Sequence, residues 1–320
     1  MDRIPIGRTI GATFDFALGR YRTILGVIWL PILILGAAEY FVLVPYFVRL
    51  FDFLQYAVQH PKDHPLMPPE MQAMRPMIWS VDALAVVISF WIQVGIAKTV
   101  LGLRTGPLFF YVPVGLEELL AIGGFIVFLA IVYGVCLGIG IVVGIAAVLV
   151  YSLVSGGALT IADGMKPWLA GGLVACVVAL VFALIYVQVR FTYLLVPATV
   201  AEKRFGLWRS WEMSKGNFWR IFMVGVGTLS PMLAFEFILI FAFYLVVVLT
   251  VIIQLGVLHP HGVAHHGPAA ATGFLKVMFQ DLAIYGAIIA AIVIPLLPIF
   301  YGLRCGSSAF AYKALTEKTG

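Results

Sequence analysis

The sequence predicts an all-α polytopic membrane protein: a helical bundle of about six spans, with interfacial amphipathic helices and a parallel internal repeat. Three observations predict it. First, the chain is 62% hydrophobic and only 11% charged, whereas ordinary soluble domains carry about 25% charge. Second, several apolar runs exceed the roughly 20 residues that a helix needs to cross a bilayer. Third, the chain matches itself about 200 residues apart. Gly102-Leu103-Arg104-Thr105-Gly106 returns as Gly302-Leu303-Arg304-Cys305-Gly306, and each copy closes an apolar run. His60-Pro61 returns as His259-Pro260, and Pro31 as Pro231.

The spans follow in order. The first covers 23–50, too long for a signal core, and reads as a retained helix. The second covers 80–103. The third, 119–155, would be roughly 55 Å long as one helix, against a 30 Å hydrocarbon core. It could divide near Gly138-Ile139-Gly140. The fourth covers 168–189, the fifth 218–258 and the sixth 281–303. Pro231 and Gly227 are candidate kink points in the fifth.

Positive charge sets the orientation. With a single third span, Arg3, Arg8, Arg20, Arg22, Arg104, Arg190, Lys203, Arg204, Arg209, Lys215, Arg220, Arg304, Lys313 and Lys318 fall on one side. Only Arg49, Lys62, Arg75, Lys166 and Lys276 fall on the other. The basic side is cytoplasmic by the positive-inside bias, so both termini are expected there. The whole of 1–320 then forms a single transmembrane domain. It divides into a first repeat 1–106, inserted central spans 107–205, a second repeat 206–306 and a cytoplasmic tail 307–320.

Each repeat opens on an amphipathic segment. Ile6, Ile10, Phe14, Leu18 and Tyr21 fall at helical spacing, which predicts a helix lying in the interface plane. Leu207, Trp208 and Trp211 alternate with Arg209, Glu212 and Lys215 before the fifth span. Trp and basic residues together suit the headgroup layer. Arg104, Arg304, Arg209, Trp211 and Lys215 are therefore the headgroup-facing candidates, and membrane lipids the expected partners. A nucleic-acid partner is not expected.

The stretch Arg190-Phe191-Thr192-Tyr193-Leu194-Leu195-Val196-Pro197-Ala198 is followed by Arg209-Ser210-Trp211 and by Lys215-Gly216-Asn217-Phe218-Trp219-Arg220-Ile221-Phe222. These residues resemble a bacterial family of polytopic membrane domains. It includes the membrane domain ahead of some glycerophosphodiester phosphodiesterases and their stand-alone inner-membrane relatives. The segment from Ile6 to Leu25 is similar in style. The resemblance covers mainly these stretches, and the central spans match only in hydropathy. It implies a six-span helical domain of the bacterial cytoplasmic (inner) membrane. It does not imply phosphodiesterase activity, because no metal-binding Glu/His set follows the last span.

Ionisable residues inside spans are functional candidates by default. Glu39 and Glu236 occupy nearly equivalent places in the repeat, and Lys98 lies before the inner end of the second span. The sharper expectation is that Glu39 and Glu236 face each other across a pseudo-axis and line a shared cavity; the plainer one is that each is satisfied locally. Asp82 and Asp281 read as span-end residues. Gly134, Gly138, Gly140 and Gly144 stripe the third span and suit helix packing or a homo-oligomer face. All six histidines fall on the outer side. His259, His261 and His265 could ligate a divalent metal, against the plainer reading of a solvated Gly/Pro loop. No other cofactor is expected. Cys136, Cys176 and Cys305 give no disulfide framework.

An enzyme is the least supported class: there is no Gly-rich phosphate loop, no motif-placed Ser-His-Asp set and no His-Glu-x-x-His. The leading expectation is transport or handling of a small solute or lipid. The alternatives are a scaffold or regulatory partner of another membrane system, and an outer-face metal-binding protein.

Overall fold

The computed structural model describes residues 3–60, 68–104, 115–155, 166–258 and 268–317. Among the described residues it is built of nine helices and contains no strand. They are α1 (Ile6–Gly19), α2 (Tyr21–Gln59), α3 (Pro69–Val100), α4 (Leu116–Ser155), α5 (Lys166–Thr192), α6 (Leu195–Glu202), α7 (Leu207–Met213), α8 (Phe218–Leu258) and α9 (Pro268–Thr316). Among the described residues six stretches are long and apolar enough to cross a bilayer: Tyr21–Ala57, Pro69–Val100, Leu116–Gly138, Leu180–Glu202, Phe218–Val246 and Gly286–Thr316. The protein is an integral membrane protein of the all-α class.

The third apolar run is one helix of 40 residues. Gly138 and Gly140 do not divide it, because each costs only about 1 kcal/mol relative to alanine and keeps its backbone bonds. The fifth span agrees with α8 at both ends. The sixth does not end near Leu303: α9 continues to Thr316. The two Gly-Leu-Arg strings therefore do different work. Gly102 has φ +72° and closes α3, with the Leu103 N–H donating to the Lys98 carbonyl at 2.8 Å. Gly302 lies inside α9, where a side chain would meet Ile24 and Ala17. Asp82 is also not at a helix start, since α3 begins at Pro69.

The packing centres on the end of the bundle that carries both chain termini. Pro5 and Glu317 line one cavity there. α2 packs on α3, α8 packs on α9, and α9 packs on α2 and α3 as well. The largest buried cluster draws Ile24, Val27 and Ile28 of α2 together with Ile88 to Val100 of α3, Val196 and Val200 of α6, and Cys305 and Ala309 of α9. The short α6 is buried from Leu195 to Val200 and packs on α3, α4 and α9. Away from this end the helices show apolar surface, as at Phe41 and Phe47 of α2 and Phe237, Phe241 and Ile252 of α8. That is the surface a bilayer solvates.

α1 departs from the expected in-plane amphipathic helix. It lies along α8 and α9. Its Ile4 end meets Asn217 and Arg220 of α8 and the connection before it, and its Ile10 meets Gly227 further along. Against α9 it runs the other way, with Thr13 and Phe16 at Gly306 and Ala17 at Gly302. The buried stripe is Thr9, Thr13 and Ala17, while Leu18 of the expected apolar stripe is 60% exposed. Small side chains four apart on α1 meet Gly302-x-x-x-Gly306 on α9, which lets the two backbones approach closely. Gly227 likewise serves as the seat of Ile10.

Candidate functional site: a polar groove between α8 and α9

Phe235 of α8 packs on Phe300 of α9 with ring centres 5.4 Å apart, which fixes the register of this pair. On that register Glu236 lies beside Phe300, and Arg304 lies about one helical turn further along α9. Glu236, Tyr301 and Arg304 line a cavity of about 210 Å³, with walls of Met232, Phe235, Leu239, Val293, Leu297 and Phe300. Glu236 and Tyr301 are half-buried and Arg304 is exposed. Leu233 and Phe237, next to the groove on α8, are exposed apolar residues, so the groove sits at the bilayer-facing surface of the hairpin. Among the described residues no ion pair joins Glu236 to Arg304.

Glu39 does not line this groove. It lies on α2, half-buried, within electrostatic reach of Tyr301. α9 packs on both α2 and α8, so the two carboxylates address one helix rather than facing each other across an open axis. Tyr301 is the residue they share.

Lys98 is not part of the groove. Its Nζ lies 3.2 Å from Glu118 Oε1 and 3.6 Å from Glu117 Oε2, at the first turn of α4. Glu118 is buried, and its Oε2 has no hydrogen-bond partner among the described residues. Lys98, a candidate as an ionisable residue inside a span, is met here by a carboxylate pair at a helix start. The signal for it was the Glu117-Glu118 pair directly ahead of an apolar run.

The headgroup candidates divide. Lys215 and Arg209 are exposed. Arg209 donates to Glu202 at 2.8 Å, which raises its guanidinium above the usual arginine value, and lies 3.7 Å from Glu212. Arg104 is half-buried and donates to the Thr23 carbonyl at 3.4 Å, holding the end of α3 to the start of α2. Trp211 is half-buried. Its ring stacks on Phe191 and lies 3.7 Å from the guanidinium carbon of Arg190. Arg190 is buried and donates to Ser214 Oγ, the Tyr186 hydroxyl and the Trp211 carbonyl at 3.2, 2.8 and 2.9 Å. Trp208 and Trp219 are the exposed tryptophans of this region.

This cluster gives the stretches around Arg190, Trp211 and Asn217 a structural role. Ser210 donates to the Arg190 carbonyl at 2.9 Å. Gly216 turns the chain at φ +79°. Asn217 accepts the Ile4 N–H, and Arg220 donates to the Ile4 carbonyl at 2.9 Å. Together they clasp α5, α7, α8 and the start of the chain.

His259, His261 and His265 lie outside the described residues, as do Gly106 and Lys318. His60 is exposed and stacks on Tyr56. Among the described residues no cluster of three or more His, Cys, Asp or Glu side chains forms a metal site. Gly134, Gly138 and Gly140 have open space where a side chain would project, with nothing within 4 Å among the described residues. No family model, curated protein or solved structure matches the chain.

Proposed function

We propose that the protein binds and handles a lipid or other membrane-borne amphiphile in the groove between α8 and α9. The observation that carries this reading is a carboxylate, Glu236, half-buried in a 210 Å³ groove beside Tyr301 and Arg304, with apolar walls. Charged side chains within spans persist where they serve a pathway or a ligand. Apolar walls with a few convergent polar groups are the make-up of a ligand site. Nothing in this arrangement calls for covalent chemistry, and the reading is of a non-enzymatic carrier.

The basic end of the bundle supports a cytoplasmic placement of both termini, in the inner membrane of a bacterium. The open glycine face of α4 supports self-association in the bilayer. The likeness of the Arg190 clasp to the membrane domain of glycerophosphodiester phosphodiesterases supports a kinship in scaffold only.

Lipid retention tests the reading. The full chain is released from nanodiscs and its bound lipids are counted by native mass spectrometry. Leu239→Trp, which fills the groove, is expected to remove the retained lipid; Phe241→Trp, at a 62% exposed position outside it, is expected to leave retention unchanged. Equal retention in the two variants would refute the groove as a binding site.

A further inference from the structure

The groove holds two opposite charges that do not pair with each other. Both lie in membrane-spanning stretches, Glu236 in Phe218–Val246 and Arg304 in Gly286–Thr316. Charges in that environment are costly unless something complements them. Their spacing is set by the Phe235–Phe300 contact: Arg304 stands about one turn, roughly 6 Å, along α9 from Phe300. A glutamate and an arginine at such an offset could reach each other, yet among the described residues they form no ion pair; two unpaired opposite charges lining one groove suit a ligand carrying both complementary charges a few bonds apart.

Resting on the groove reading above, we infer that the ligand is zwitterionic: a phosphodiester headgroup bearing an ammonium. The guanidinium of Arg304 offers paired donors that match phosphate oxygens. The carboxylate of Glu236 accepts only, and so selects a cation. Tyr301 lines the same groove, and a tyrosine hydroxyl can donate or accept. The remaining walls of the groove, Met232, Leu239, Val293 and Leu297, are apolar. A headgroup with phosphate alone leaves Glu236 facing an anion. An amine without phosphate leaves Arg304 without a partner.

The experiment uses the full chain in nanodiscs containing equal parts of ethanolamine, choline and glycerol phospholipids, read by native mass spectrometry. The wild type is expected to enrich the two ammonium-bearing headgroups over glycerol by on the order of tenfold relative to the bulk, the size of one charge-assisted contact. Glu236→Gln is expected to abolish that preference while lipid is still retained. Arg304→Gln is expected to lower retention of all three headgroups. Gel-filtration profile and helical content of each variant identify any that fails to fold, and Glu236→Asp, which keeps the charge, is expected to keep the preference. Retained lipid in bulk proportions, unchanged by Glu236→Gln, would overturn the zwitterion inference. The groove itself would then still stand if Leu239→Trp removes the lipid, and would fall with it if Leu239→Trp does not.

Discussion

The guanidinium carbon of Arg190 lies 3.7 Å from the centre of the Trp211 ring, with Phe191 stacked on the same indole. Arg190 is buried, yet its hydrogen-bond partners Tyr186, Ser214 and the Trp211 carbonyl are neutral. The cation is stabilised by aligned dipoles and by the aromatic face, and among the described residues no carboxylate pairs with it. This fixes α7 on α5 and thereby sets where α8 starts.

Arg190→Ala is expected to destabilise the protein by about 2 to 3 kcal/mol, since it removes the stacking and leaves the buried Ser214 hydroxyl and the partly buried Trp211 carbonyl without their donor. Arg190→Lys keeps the charge but not the planar fork, and is expected to cost about half as much. Thermal unfolding in detergent, followed by tryptophan fluorescence, reads both. Equal stability of wild type and Arg190→Ala would show that the clasp is held by other contacts.

Gly302 is a packing residue. A side chain there would sit 2.8 Å from Ile24 Cδ1 and 3.1 Å from the Ala17 Cα. A terminal methyl can rotate away, but the Ala17 backbone cannot without moving α1. Gly302→Ala is therefore expected to cost about 1 to 3 kcal/mol, the range for overpacking. It should also loosen α1, seen as faster tryptic cleavage at Arg8 and Arg20. Gly306→Ala, where the nearest atom is 3.4 Å away, is expected to be near neutral. Gly134→Ala meets nothing within 4 Å and is expected to stabilise the isolated chain slightly through helix propensity.

Lys98 and Glu118 form a sheltered pair, with side chains 17% and 7% exposed. Lys98→Met leaves Glu118 buried without its cation, at an expected cost of about 3 to 5 kcal/mol. The double variant Lys98→Met/Glu118→Leu is expected to recover most of that. The Arg209–Glu202 pair is the control: its side chains are 46% and 34% exposed, and Glu202→Gln is expected to cost no more than about 1 kcal/mol. A double-mutant cycle on each pair, measured by thermal unfolding, checks the contrast. Additive effects of the two changes at Lys98 and Glu118 would count against a coupled pair.

The long helices were legible because their signal is local. α8 is an unbroken apolar run from Phe218, and its length alone announces a span. Glu236 was legible for a related reason, as a charge that such a run should not contain. The orientation of α1 was not legible. Hydrophobic periodicity draws the eye to Ile6, Ile10, Phe14 and Leu18, whereas close helix packing uses the small residues Thr9, Thr13 and Ala17. Gly302-x-x-x-Gly306 reads equally well as a repeat marker and as a packing face, and only its partner helix decides. The approach of Arg304 to Glu236 depends on the register of two antiparallel helices, which no single run of sequence encodes.

The exchange of roles among the tryptophans gives a direct test of where the bilayer meets the protein. Trp211 was the expected anchor, but it is held under Arg190 and against Phe191. Trp208 and Trp219 are 59% and 65% exposed, at the start of α7 and of α8. An indole with an open face and a nearby polar group suits the headgroup boundary. Variants retaining one of the chain's seven tryptophans, reconstituted in lipids brominated high on the acyl chain, report this by fluorescence quenching. Trp208 and Trp219 are expected to be quenched strongly and Trp211 weakly. Arg190→Ala should raise the quenching of Trp211, because the ring then loses the cation that holds it inward. Strong quenching of Trp211 in the otherwise unaltered fold would place α7 flat on the bilayer surface and dissolve the clasp.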